Sequence, residues 1–217
     1  MKKFLILICI LFISGCTLID SVDEIFITNY LNNKYGNDIK FTPMYTSSCK
    51  IYEEGTCRAS YKASDTEDNE IHIIWNKQDG SDMRDDYLFL KYNDKLKEYY
   101  TNLIKKATNV KFVISEISNK SDYKWDKSLG FDEFIKYENL NTGIAINVSS
   151  SDIDLNQLGD TIKEYFKSQN INNVASFYLT NYDNTCDLNN TSNCNKINSI
   201  FYEVKIVEFY DENAKKN

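Results

Sequence analysis

Residues 56–76 read TCRASYKASDTEDNEIHIIWN, and the alternation within them decides the fold class. In Glu70–Asn76, Ile71, Ile73 and Trp75 share one face while His72 and Ile74 share the other, the period of two that marks a half-buried strand. Thr56–Ala63 reads as a second strand, and the polar run between the two is a turn. Upstream, Ile39–Thr46 reads as a further strand, returned through Glu53-Glu54-Gly55. Pro43 has no amide hydrogen to give to a ladder, so that strand lies at a sheet edge or carries a bulge. Consecutive strands joined by short turns pair antiparallel.

Helical signals flank these strands. Ser21-Val22-Asp23-Glu24 has capping-box spacing, and Val22, Ile25, Phe26, Asn29 and Tyr30 follow at helical intervals until Gly36, a plausible stop. From Asp82 to Ala107, Leu88, Tyr92, Leu96, Tyr99, Leu103 and Ala107 form an apolar stripe, widened by Phe89, Tyr100 and Ile104. One long helix over that range is the best candidate to cover the sheet. Val110–Glu116 reads as a fourth strand, and residues 117–129 are polar enough for a linker or surface loop. A short helix over 130–139, a strand over 143–149, a helix over 152–168 and strands over 173–182 and 198–209 complete the chain. In the 152–168 helix, Leu155, Leu158, Ile162, Tyr165 and Phe166 make the apolar face, and Ser151 with Asp154 has capping-box spacing.

The expected division is a leader over 1–15, a first half over 16–117, a second half over 118–210 and a disordered tail over 211–217. Both halves read helix, strand, closed loop, strand, although residue identities hardly repeat; they are a candidate pair of related helix-hairpin halves. The fold class is therefore α+β, an antiparallel sheet with helices packed on one face.

The leader is specific. Lys2 and Lys3 precede an apolar run from Phe4 to Ile13 that is too short to span a bilayer, the plan of a signal peptide. Ile13-Ser14-Gly15-Cys16 resembles the lipobox of bacterial lipoproteins. The resemblance implies that a diacylglycerol is attached to the Cys16 thiol, that the chain is cleaved before it, and that the mature protein sits on the extracytoplasmic face of the cell membrane.

Composition supports a folded domain rather than a spacer: 42% of residues are hydrophobic, 14% are aromatic, and there is one Pro. Without Lys2 and Lys3 the chain carries 23 basic and 32 acidic residues, a net of -9. Nucleic acid is excluded as a partner on charge, and anionic lipid repels such a surface, so attachment falls to the acyl chains. The wealth of Asn, Lys, Ile and Tyr is the bias of a low-GC Gram-positive source.

With Cys9 in the leader and Cys16 lipidated, Cys49, Cys57, Cys186 and Cys194 remain, and four cysteines allow three pairings. Cys49/Cys57 and Cys186/Cys194 share the spacing Cys-x7-Cys, and an oxidising compartment favours two local disulfides. Zinc is the rival, but zinc ligands usually lie closer within each pair, and the lone histidine, His72, adjoins neither.

Elsewhere the chemistry is sparse. Asp79-Gly80-Ser81-Asp82-Met83-Arg84-Asp85-Asp86 is acidic but lacks the spacing of an EF-hand loop, and its aspartates suit the start of the long helix. Glu53 and Glu54 diverge at a hairpin tip instead of flanking a cleft. His72 has no nucleophile motif beside it. Trp75 reads as core. Tyr123 and Trp125, in a polar stretch, are candidate contact residues for a partner. No catalytic residue, metal site or cofactor is assigned.

These readings lead to a lipid-anchored envelope lipoprotein with a non-catalytic extracytoplasmic binding domain. One version is an immunity-type lipoprotein that neutralises a secreted toxin. The alternatives are an envelope hydrolase using carboxylates and an accessory subunit of a membrane complex. The expected partners are the membrane, through lipid on Cys16, and a protein at the envelope. Few residues separate Cys16 from the first helix, so that partner is expected to come to the membrane surface or to be there already.

Overall fold

A computed structural model describes residues 21–49, 56–66, 70–76, 81–119, 128–137, 140–150 and 152–204, with backbone alone at 21–23 and 45–49. The fold is α+β: helices pack on two four-stranded, mostly antiparallel sheets. The chain divides into two compact units, residues 1–91 with 123–129, and residues 92–122 with 130–217.

The first unit begins with helix α1 (Ser21–Tyr35) and strands β1 (Phe41–Cys49), β2 (Thr56–Ala63) and β3 (Glu70–Asn76), then a two-residue strand β4 (Arg84–Asp85) and helix α2 (Tyr87–Lys91). The strands pair antiparallel in the order β1-β2-β3-β4. Pro43 lies on the edge strand β1, beside a register shift between Pro43 and Tyr45. Alternation in β2 and β3 buries Cys57, Ala59, Tyr61, Ile71, Ile73 and Trp75 on one face and turns His72 outward. Gly36, at φ +90°, ends α1 in the left-handed region, with its amide donating to the Asn32 carbonyl at 2.9 Å.

The helix face is not the one the sequence periodicity selects. Ile27 and Leu31 are buried at 2% and 0% exposure, whereas Ile25 and Phe26 stand out at 61% and 58%. Tyr30, Lys34 and Tyr35 follow Ile27 and Leu31 around the helix and all three bind the Asp85 carboxylate, so a polar network orients α1 as well as apolar burial.

The second unit comprises helix α3 (Asn93–Ala107), strand β5 (Phe112–Asn119), a one-turn helix α4 (Phe131–Phe134), strand β6 (Thr142–Ser149), helix α5 (Leu155–Ser168), and strands β7 (Val174–Tyr182) and β8 (Lys196–Glu203). Its sheet order is β5-β6-β7-β8. β6 and β7 run parallel, with α5 as the crossover that parallel pairing requires; the other pairs are antiparallel. Both α3 and α5 touch strands of this sheet and each other. Leu96, Tyr100 and Ile104 from α3 and Leu158, Ile162 and Phe166 from α5 are buried.

The expected single helix over 82–107 is two. Arg84 and Asp85 pair with Ile74 and Ile73 as β4, which removes the first turn, and Tyr92, at φ -104° and ψ 9°, separates α2 from α3. Tyr92 is buried against Phe131 and Phe134, with ring centroids 5.5 Å away in each case. The fourth expected strand belongs to the second sheet and extends to Asn119. The cap of α5 is Asp154, whose carboxylate accepts from the amides of Asn156 and Gln157, rather than Ser151.

Candidate functional site

A cleft of about 680 Å³ opens in the second unit where the C-terminus of α5, the start of β7 and the turn after α4 converge. That size is typical of ligand sites. Its wall is set by how α5 ends. Asn170 adopts φ +53°, its amide donates to the Lys167 carbonyl at 3.0 Å, and the Ile171 amide reaches back to the Phe166 carbonyl at 2.9 Å. These two bonds form a Schellman cap, with asparagine tolerating the left-handed position usually held by glycine. The cap turns Ile171–Val174 sharply along the cleft.

Polar groups then converge. Asn173 is buried; its Nδ2 donates to the Ile135 carbonyl at 2.7 Å, and its own carbonyl accepts from the Thr142 amide at 2.9 Å and the Thr142 hydroxyl at 2.7 Å. Its Oδ1 finds no partner among the described residues. Lys136, Lys167, Asn170, Asn172, Tyr99 and Tyr137 also line the cleft. Glu164 holds Lys167 at 2.7 Å. Partial burial raises the Tyr99 pKa above its ordinary value, so the phenol stays neutral. No carboxylate lines the cleft among the described residues, in a chain with a net charge of -7. Such a lining suits a polar ligand bearing hydroxyl or anionic groups.

In the first unit, His72 and Asp86 form a second polar site. His72 Nδ1 lies 2.9 Å from Asp86 Oδ2, and the His72 amide donates to Asp86 Oδ1 at 2.8 Å. The bond to Asp86 raises the imidazole pKa; burial raises that of Asp86, opposed by His72. Ser60 is the register partner of His72 across β2–β3.

The aspartate run does not act as sequence spacing suggests. Asp85 Oδ1 accepts from the Tyr87 amide at 3.1 Å, a local cap, but Asp85 also binds Tyr30, Lys34 and Tyr35 about fifty residues away. Asp82, at φ +56°, pairs with Arg84. No group of three or more metal-ligating side chains is found among the described residues.

Cys186 and Cys194 form a disulfide closing the β7–β8 connection. Cys57 is disulfide-bonded, and its register partner across β1–β2 is Cys49. Trp75 is core. Cys16, Glu53, Glu54, Asp79, Tyr123, Trp125 and the expected tail over 211–217 lie outside the described residues. The cleft residues Tyr99, Lys136, Asn170 and Asn173 escape sequence reading, because they are distant in the chain and meet only through β6–α5–β7 packing.

No family model and no curated protein matches the sequence. Among solved structures, a DUF5037 family protein from Ruminococcus gnavus ATCC 29149 is similar at 11% identity over 73% of each chain, with a TM-score of 0.31. At that overlap the likeness carries no argument.

Proposed function

We propose that this chain is a lipid-anchored protein of the bacterial cell envelope whose domain holds an extracytoplasmic partner without catalysing a reaction on it. The lipobox-like Ile13-Ser14-Gly15-Cys16 supports the anchor. The observation that carries the binding role is the cleft beside Asn173, whose lining includes two lysines, three asparagines and two tyrosines and no Asp or Glu among the described residues. Such a surface accepts an anionic or hydroxylated segment of a protein partner, and an immunity-type role is one form that this takes. Affinity capture from envelope and secreted fractions, using the full chain and its Lys136→Glu variant, tests the reading. A stoichiometric protein partner retained by the parent and lost by the variant supports it; turnover of a wall or lipid substrate overturns it.

One observation favours a hydrolase as second reading. His72 is held by buried Asp86 and stands opposite Ser60 on β2. Turnover abolished by both Ser60→Ala and His72→Gln is the result that this reading requires.

A further inference from the structure

Helix α1 carries two large apolar side chains that its own unit leaves uncovered. Ile25 and Phe26 are 61% and 58% exposed, although Ile27 and Leu31 on the opposite side are buried. Scattered exposed hydrophobics need no explanation, but these two are adjacent and their position is particular. They start a solvent-facing stripe that continues at helical spacing through Asn29 and Asn33, both exposed. The stripe is apolar towards its N-terminal end and polar beyond, and none of these four residues is charged.

The apolar end is the one nearest the proposed lipid site. Residues 17–20 separate that cysteine from α1, and extended chain covers at most about 3.6 Å per residue step, so Ser21, five steps on, lies within about 18 Å of Cys16. Ile25 and Phe26 follow about 6–8 Å further along the helix. Whatever path the intervening chain takes, a lipidated Cys16 keeps them close to the bilayer surface. An apolar pair followed by amides suits an interface that becomes more polar away from the acyl chains.

We propose that α1 seats on the extracytoplasmic surface of the cell membrane with Ile25 and Phe26 inserted among the lipid headgroups and first acyl carbons. The inference rests on the lipid anchor and adds a second, protein-made contact to it. The contact fixes which side of the first unit faces the bilayer, a constraint that a freely swivelling tether does not supply. Lipid is chosen over a second copy of the chain because the anchor brings it within reach of every molecule at any protein concentration.

The full chain, processed in a bacterial host and purified, is reconstituted in vesicles of zwitterionic and anionic phospholipid, with a benzophenone side chain at Ile25, Phe26, Asn29 or Asn33. Irradiation is expected to give lipid adducts at positions 25 and 26 several-fold above those at 33, with 29 intermediate. Equal yields along the stripe, or adducts with protein alone, overturn the seat. Mass measurement of the same samples separates the two readings: a chain without diacylglycerol on Cys16 overturns the anchor and the seat with it, whereas a lipidated chain without adducts at 25 and 26 overturns only the seat. An Ile25→Asp/Phe26→Asp variant that keeps its circular dichroism, yet raises protease access to residues 16–24 in vesicles, supports the seat independently of photochemistry; unchanged access counts against it.

Discussion

Lys34 Nζ and Asp85 Oδ2 meet at 2.9 Å with both side chains almost withdrawn from water, at 5% and 0% exposure. Tyr30 and Tyr35 donate their hydroxyls to the same carboxylate at 2.7 and 2.6 Å, and the Tyr87 amide adds a bond at 3.1 Å. A buried pair stabilises a fold only when its remaining lone pairs are filled. Here tyrosines and a backbone amide fill them and tie α1 to the end of β4.

Asp85→Ala is therefore expected to destabilise the chain by about 3–5 kcal/mol, because it strands a buried ammonium. Lys34→Met should cost less, since the carboxylate keeps its hydroxyl and amide donors. Urea titration of both variants and of the double variant gives the coupling. A double variant as weak as the sum of the singles would show that the pair is not a unit.

Stability should fall as pH rises through the titration of His72. The bond to Asp86 raises its pKa above the ordinary 6.5, so its contribution is full below that value and is lost as pH climbs through the higher folded one. Burial also raises the Asp86 pKa above 3.8, which adds a loss of the same sign in the acid range. Comparing urea midpoints at pH 6 and 8 for parent and His72→Gln isolates the imidazole. The drop is expected in the parent and not in the variant.

Gly159 is a packing glycine in the middle of α5. A Cβ there would run into the Tyr202 ring, which stacks on Phe177 at 4.9 Å and donates its hydroxyl to the Asn156 carbonyl at 2.8 Å. Alanine normally strengthens a helix interior by about 1 kcal/mol over glycine. In this chain Gly159→Ala should destabilise instead, and in a Tyr202→Ala background the same change should stabilise. Thermal melts of the four proteins read the sign reversal directly.

Replacing Cys186 and Cys194 together by serine should cost about 2–3 kcal/mol, the loop-closure value for a span of this length. Because the loop joins β7 to β8, amide exchange in β8 should rise more than in β5. Uniform exchange across both edge strands would mean that the bridge only shields the loop.

Strands β2 and β3 are legible in the sequence residue for residue, since alternation of period two survives any tertiary arrangement that covers one face. Gly36 as a helix stop, Pro43 at an edge and the 186–194 bridge are legible for the same reason: each follows from the backbone or covalent chemistry of one short stretch. The long helix is not. Its Asp82–Asp86 segment has helix-capping composition, but β3 offers Arg84 and Asp85 a ladder, and Asp85 is claimed by tyrosines and a lysine that no local pattern brings near it.

The sequence by itself determined the α+β class, the main elements and the Cys186–Cys194 bridge, because periodicity, punctuation and cysteine spacing act over a few residues. Tertiary structure alone decided which face of α1 is buried, that β6 and β7 run parallel, and that Asn173, Lys136 and Tyr99 share a cleft. The reason is energetic. An amphipathic stripe wide enough to offer Ile25 and Phe26 or Ile27 and Leu31 leaves its orientation to whichever partner satisfies the polar groups beside it, and that partner, Asp85, lies some fifty residues along the chain.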